Sequence, residues 1–346
     1  MRALEAMIAP LDVGRAAVLR RFGGVLRPLI ADRAARTTIL FTAIVVLAFA
    51  ATITLPIALL SLGPIALGVP HVLADVRYLI VRPGLHREPR LWLVALPLLG
   101  VCLTSDLRFG LAAPVLSAVL ARGAPSRKIV VLVIAGAAFV IACRVGRIAD
   151  LVFVHGHNFL AVVVWWLYRP RRAREGIPVA LFVAASLFML LGVAEPVLRA
   201  TGGLGSRLSF DLGALADSIA TNAPPALGLR LVLLYAFAQS VHYGVWLRLV
   251  PEDDRPGRAP RSFSSSLRAL RADLGAPLLV VTALAALGLA VWATIDLGSA
   301  RIGYLRAAQF HGHLELAALA ILFVRSPRDK APFCVNVGRA RPSGVG

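Results

Sequence analysis

Apolar side chains occur in long unbroken runs along most of the chain, and polar residues concentrate in the short segments between those runs. The runs are about twenty residues long, the length that a helix needs to cross the hydrocarbon core of a bilayer. They are apolar on all sides and lack the alternation of strands, so they predict helices. We therefore predict an all-α, polytopic integral membrane bundle of about ten transmembrane helices. The predicted spans lie near residues 38–62, 63–82, 91–105, 107–121, 129–146, 147–168, 177–198, 228–250, 275–296 and 303–324.

Composition agrees with this class, because 58% of the 346 residues are hydrophobic and the mean hydropathy is +0.79. Soluble domains contain a smaller share of hydrophobic residues. Residues 1–37 are rich in Arg with interleaved apolar positions, which predicts an amphipathic segment on the cytoplasmic face. No short apolar core with a small-residue cleavage site follows it, so we expect no cleaved signal peptide. Residues 38–325 are predicted to form the membrane domain and residues 326–346 a cytoplasmic tail.

The net charge of +19 is distributed unevenly between the predicted loops. With the N-terminus inside, 28 Lys and Arg residues fall on the cytoplasmic side and 8 on the outer side, while Arg77 lies within a span. Cytoplasmic loops of membrane proteins carry such an excess, so both termini are predicted to be cytoplasmic. The basicity then serves orientation and contact with anionic membrane lipid, and we expect no nucleic acid partner. The predicted location is the cell (inner) membrane, crossed several times.

Histidines are the residues that a purely apolar bundle does not explain. Two predicted spans share a His-Gly-His sequence, and in each the first His lies 14 residues before a terminal Arg, Arg169 or Arg325. Ionisable groups at membrane depth are costly and are therefore candidates for function. Six of the seven histidines lie in predicted spans, and all six are candidate metal ligands: His71, His155, His157, His242, His311 and His313.

Two carboxylates stand at helical spacing from these histidines. Asp75 follows His71 by four residues and Glu315 follows His311 by four, so each pair shares a helix face. A carboxylate so placed can orient the imidazole or join it as a ligand, which makes Asp75 and Glu315 candidate catalytic residues. In the eighth predicted span a polar and aromatic stripe surrounds another histidine: Tyr235, Gln239, His242 and Trp246.

The direction and depth of the spans favour one shared site. The histidines lie in the second, sixth, eighth and tenth predicted spans, which all run from outside to inside. His71, His157 and His313 lie 11, 12 and 12 residues before the first cytoplasmic Arg of their spans. Positions i and i+2 point about 200° apart on a regular helix, so both His of a His-Gly-His pair can face a common centre only if the helix is distorted at the intervening Gly. We predict that His71, His157, His242 and His313 converge.

Several chemistries suit such a site. Neutral imidazoles with nearby carboxylates favour Fe, Zn or Cu over Mg or Ca, and an apolar site with open metal positions suits a lipophilic substrate or O₂. A His-ligated Fe(2+) oxygenase fits this description. A haem held by His157 and His313 is an alternative, as is a proton-coupled transporter using the His, Asp and Glu side chains without metal. Interhelical hydrogen bonding alone is the purely structural interpretation.

The second predicted span also carries a family likeness. GVPHVLADVRYL resembles the G-x-P-H-G-A-x-D signature of the microbial membrane-bound β-carotene dioxygenases (Brp/Blh type), and YAFAQSVHYGVWLRLVP is similar to their aromatic-His-Leu-Arg segment. The sequence departs from the pattern in having Val after His71, no second His close after His242, and the two His-Gly-His spans. The resemblance implies an iron-dependent dioxygenase that cleaves a carotenoid to retinal, with His71, Asp75 and His242 at its centre.

The His-Gly-His spans are in turn similar to the His-x-His helices of haem–copper oxidase subunits, although the remaining His-His pair of that family is absent. Taken together, these patterns predict an integral membrane metalloenzyme. We expect a non-haem iron oxygenase acting on a lipophilic, carotenoid-like small molecule.

Overall fold

The computed structural model describes residues 2–168, 176–201, 219–220, 223–255 and 259–325. Most of these residues are helical and none forms a strand, which confirms the all-α class. The helices are α1 (Arg2–Arg21), α2 (Gly23–Ala31), α3 (Arg33–Thr54), α4 (Pro56–Asp75), α5 (Ala95–Thr104), α6 (Leu107–Gly110), α7 (Ala112–Leu120), α8 (Pro125–Val145), α9 (Arg147–Tyr168), α10 (Gly176–Leu190), α11 (Glu195–Thr201), α12 (Pro225–Gly244), α13 (Val250–Asp253), α14 (Phe263–Leu274), α15 (Ala276–Ile295), α16 (Leu297–Ala308) and α17 (Phe310–Val324).

Six helical segments in the described part of the chain are long and apolar enough to cross a membrane. In two of them, Pro125–Val145 and Ala276–Ile295, only 11% and 6% of an apolar 18-residue stretch is buried inside the protein. Both helices expose rows of Val, Ile and Leu. Exposed apolar surface on that scale requires an apolar surrounding, which is compatible with a membrane protein. The other four segments are Arg33–Thr54, Pro56–Val81, Arg147–Trp166 and Leu297–Val324.

The first two of these segments begin and end earlier than the sequence predicted. The predicted boundary lay between residues 62 and 63, whereas α3 ends at Thr54 and α4 begins at Pro56. Proline is favoured at the first position of a helix, because it has no N–H to leave unpaired and its φ angle is already helical. An apolar run alone does not reveal this break, since both helices continue it.

Helix α12 lies at the centre of the bundle and packs against α3, α4, α9 and α10. Most of its residues are buried on every side, including the polar side chains Gln239 and His242. A helix surrounded by protein can carry such groups, provided that its neighbours supply partners for them.

Three irregular turns occur where histidine-bearing helices reach the centre. Helix α4 continues after Asp75 into a π-helical segment, Val76–Val81, and α12 continues after Gly244 into another, Val245–Leu249. At Gln309 the helical conformation is interrupted, so α16 ends at Ala308 and α17 begins at Phe310. π-Helical turns inside helices are frequent at functional sites, because they rotate the side chains that follow.

The N-terminal segment is helical, as an amphipathic arm would be, and docks against the segment that leads into α14. Asp12 accepts hydrogen bonds from the backbone N–H groups of Phe263 and Ser264, at 2.6 and 3.1 Å. Arg15 Nη2 donates to the carbonyl of Pro260 at 3.2 Å. The tail predicted over residues 326–346 lies outside the described residues.

Candidate metal centre

Four histidines from four helices meet inside the bundle. His71 Nε2 lies 2.9 Å from His242 Nε2, so these two imidazoles share a hydrogen bond. The His311 ring centroid lies 5.2 Å from that of His71 and 5.1 Å from that of His157. The His157 and His242 centroids are 5.5 Å apart. The four come from α4 (His71), α9 (His157), α12 (His242) and α17 (His311).

The two predicted carboxylates reach the same centre. Asp75 Oδ2 lies 3.4 Å from His71 Nε2, and Glu315 Oε1 lies 3.6 Å from His242 Nε2. Both therefore face the nitrogens that point inward, and not the outer nitrogens that an orienting carboxylate would bind. Ligand atoms of His71, Asp75 and Glu315 all lie within 4.8 Å of one another, and so do those of His71, His242 and His311.

Hydrogen bonds to the backbone fix the tautomers of the two remaining histidines. His311 Nδ1 lies 2.5 Å from the carbonyl of Ala308, and His157 Nδ1 lies 3.2 Å from the carbonyl of Phe153. A carbonyl only accepts, so each Nδ1 is the protonated donor and each Nε2 keeps its lone pair. A neutral imidazole held by a carbonyl behind it is the usual arrangement of a metal-ligating histidine.

The two carboxyl groups lack a cationic partner in the described part of the chain. Asp75 is fully buried and neither of its oxygens makes a hydrogen bond there, while Glu315 receives one, from Trp246 Nε1 at 2.8 Å. No Arg or Lys among the described residues pairs with them, and Arg77 pairs instead with Asp273. A buried carboxylate without compensation is costly. A divalent cation would supply that compensation, and four imidazoles with two carboxylates are donors that iron, zinc or copper accept.

Two predicted ligands lie outside this cluster. His155 Nε2 lies 3.2 Å from the carbonyl of Ile219, and its ring packs against Tyr235. His313 stacks on Phe153 with centroids 4.0 Å apart and covers Gly110, where a Cβ would lie 2.2 Å from the imidazole. The prediction that His313 joins the cluster is therefore wrong, since His311 occupies that place. Counting residues to a terminal Arg estimates depth in the helix but not which side of it faces inward.

A cavity of about 380 Å³ opens beside the cluster. His157 and His311 line it and are partly exposed, whereas His71 and His242 are fully buried behind them. The cavity also contains residues that the sequence did not single out, Tyr243 and Tyr304 among them. The Tyr243 ring lies 5.1 Å from that of His71, so this tyrosine lines the cavity and also packs against the buried pair. Its position directly after His242 was the available signal, because neighbouring helical residues share a depth.

No protein-family model, curated protein or solved structure matches this chain. The likeness to the β-carotene dioxygenases therefore remains a prediction carried by two short motifs.

Proposed function

We propose that the chain is an integral membrane metalloprotein of the cell (inner) membrane, in which the histidine cluster holds iron and oxidises a lipophilic substrate. The observation that carries this proposal is the convergence of four imidazoles with two carboxylates that have no cationic partner among the residues that the structure describes. Three residues form the ligand core, His71, His242 and His311. His157 is the fourth imidazole, and Asp75 and Glu315 supply negative charge at the same centre.

The proposed topology has ten spans with both termini in the cytoplasm. Besides the six long apolar segments, three shorter apolar helices (Pro89–Thr104, Leu107–Leu120 and Gly176–Leu190) and the central α12 are available as spans. The excess of Lys and Arg in the predicted cytoplasmic segments supports this orientation.

Each part of the site has a role in this proposal. Bound Fe(2+) with open coordination positions would supply the activation of O₂. Tyr243 and Trp246 cover the buried histidines, and Trp246 orients the Glu315 carboxylate through its indole N–H. His157 and His311 face the cavity, so a substrate there would meet the centre from their side. The resemblance to the β-carotene dioxygenases motivates a carotenoid-like polyene as the substrate class.

One observation favours proton transfer without metal as a second candidate function. Asp75, His71, His242 and Glu315 form a continuous series of contacts at 3.4, 2.9 and 3.6 Å. Such a series could pass a proton from one carboxylate to the other if each Nε2 atom first accepts the proton and then donates it to the next group. The haem alternative, with His157 and His313 as its ligands, is less well supported, because His313 stacks on Phe153 outside the cluster.

Metal analysis of purified protein, together with its optical spectrum, tests the proposal. Stoichiometric iron without a Soret band is expected, and it should be lost in His71→Ala but retained in His86→Ala, which changes a histidine outside the cluster. Protein that folds and stays metal-free after reconstitution with Fe(2+), Zn(2+) or Cu(2+) would refute the metal site and leave proton transfer as the better interpretation. A Soret band would identify haem instead.

A further inference from the structure

The cavity beside the histidine cluster is basic. Arg301 and Arg306 both line it, and the described lining residues include no Asp or Glu. Uncharged hydrogen-bonding side chains complete the polar part of the wall, and the rest is apolar. These polar residues are Ser105, Tyr235, Gln239, Tyr243, Tyr304 and Gln309.

Arg301 is the unusual member of this wall, because it is buried and no carboxylate among the described residues pairs with it. Its exposed fraction is 6%, and its Nε donates to the carbonyl of Leu60 at 2.7 Å. That bond anchors the guanidinium and leaves both terminal nitrogens, Nη1 and Nη2, without an acceptor among the described residues. A buried guanidinium normally faces a carboxylate or phosphate that accepts two parallel hydrogen bonds. The cavity is the space in which such a group would fit.

Tyr304 helps to shape the cavity near Arg301. Its ring lies so close to α4 that a Cβ on Gly68 would sit 2.1 Å from Tyr304 Cζ. Any larger residue at Gly68 would therefore push the tyrosine away from α4. The absence of a side chain at Gly68 thus makes room for the tyrosine that lines the cavity.

We propose that the cavity binds a lipophilic molecule that ends in an oxyanion, such as a carboxylate, with Arg301 holding that anionic end. The apolar wall receives part of the chain of this molecule, and a volume of about 380 Å³ suits one end of a long amphiphile. This proposal rests on the proposed function only in placing the bound chain beside His157 and His311. The proposed substrate class is therefore an acidic lipid, whereas the family resemblance alone implies a hydrocarbon.

Binding of cis-parinaric acid and of its methyl ester tests the proposal. Energy transfer from Trp to the polyene reports binding to the full-length protein in nanodiscs of neutral lipid. Wild-type protein should bind the acid about 10- to 100-fold more tightly than the ester, the range expected for a hydrogen bond to a charged group. Arg301→Gln should remove this preference. Arg230→Gln should keep it, because Arg230 pairs with Glu195 and does not line the cavity.

The comparison of acid with ester in the wild type needs no variant, so the test survives if Arg301→Gln does not fold. Arg301→Lys then serves as the second variant. It should retain a smaller preference for the acid over the ester, since lysine keeps the positive charge but lacks the paired donors of the guanidinium. Equal affinities of acid and ester in the wild type would overturn the proposal. So would displacement of the acid by inorganic phosphate, which would identify a free anion as the ligand.

Metal content measured on the same samples separates this proposal from the metal centre. Arg301→Gln should hold as much metal as the wild type, because Arg301 does not contact the cluster. Stoichiometric metal with no acid preference would refute the acidic-lipid site alone. Acid preference in a protein that binds no metal would refute the metal centre and leave the lipid site supported.

Discussion

Two sets of carboxylates are buried in this bundle, and they are compensated in different ways. Glu252 accepts from Arg36 Nε at 2.7 Å and pairs with Arg248 and Arg255. Asp254 pairs with Arg82. In the centre of the bundle, Asp75 and Glu315 are equally buried, yet histidines and one tryptophan are their neighbours among the described residues.

The two sets differ in whether the groups beside the carboxylates carry a permanent positive charge. Arginine is always charged and offers a rigid fork, so an Arg–carboxylate pair is complete when the chain folds. An imidazole is neutral or charged according to its surroundings and offers a lone pair to a cation. The carboxylates of the first set, Glu252 and Asp254, are thus neutralised by arginines of the same chain. The second set has no such partner among the described residues, so its carboxyl groups can accept a proton or a metal ion.

Removing a cluster imidazole should produce the largest change. His71→Ala and His311→Ala should each lower metal affinity more than about 100-fold, because losing a ligand costs more than losing a supporting hydrogen bond. His313→Ala is the matched control on the same helix, since this ring stacks on Phe153 outside the cluster. Isothermal titration with metal would measure all three. An affinity loss in His313→Ala as large as in His311→Ala would contradict the assignment.

Glu252→Gln should act on stability and leave the cluster intact. The substitution leaves the buried Arg36 and Arg255 facing a neutral amide, and breaking a buried ion pair typically costs about 3 to 5 kcal/mol. Chemical denaturation in detergent should show this loss, while metal per folded molecule stays at the wild-type value. If Glu252→Gln lost metal without losing stability, the two sets of carboxylates would not be functionally separate.

Asp75→Asn should lower metal affinity and leave the stability of the metal-free protein unchanged. The amide keeps the shape of the carboxylate but not its charge, so metal affinity should fall about 10- to 100-fold. The metal-free protein should unfold no more easily than the wild type, because neither oxygen of Asp75 makes a hydrogen bond to a described residue that the amide would lose. Denaturation of the metal-free form, beside metal titration, checks both parts. A destabilised metal-free variant would indicate that Asp75 has a structural partner.

Much of the site could be predicted from the sequence because helical spacing is regular. Four-residue steps placed Asp75 beside His71, and the rarity of polar groups in apolar runs drew attention to the histidines. The choice between His311 and His313 could not be made in this way. It depends on the break at Gln309, which separates α17 from α16, and spacing gives no orientation relative to a neighbouring helix.

Arg301 shows a second limit of the sequence. It was assigned to the outer loops with the other charges there, because the tenth span was predicted to begin near residue 303. The structure begins α16 at Leu297 and buries Arg301 against the carbonyl of Leu60. Charge alone does not distinguish a loop arginine from a buried one, since only the packing of α4 against α16 decides its exposure.

The smallest expected effect concerns a carboxylate that is neither ion-paired nor buried in the bundle. Asp12 accepts hydrogen bonds from Ser264 and Phe263 at the start of α14, and these bonds lower the pKa of Asp12 below its usual value. A group whose pKa is lowered on folding stabilises the folded arrangement above its unfolded pKa, about 3.9. That contribution is lost as the pH falls through the lowered pKa.

Hydrogen exchange of α1 and of the first turn of α14, corrected for intrinsic rates, should therefore show protection at pH 6 that declines at the acid end. Asp12→Ala should lack this pH-dependent protection at every pH, because no side-chain acceptor remains. Asp12→Asn should keep part of the protection without the pH dependence, since the amide oxygen still accepts. Metal content should be the same in all three proteins at neutral pH. Protection in Asp12→Ala equal to that of the wild type would show that contacts such as that of Arg15 with Pro260 hold the N-terminal arm without Asp12.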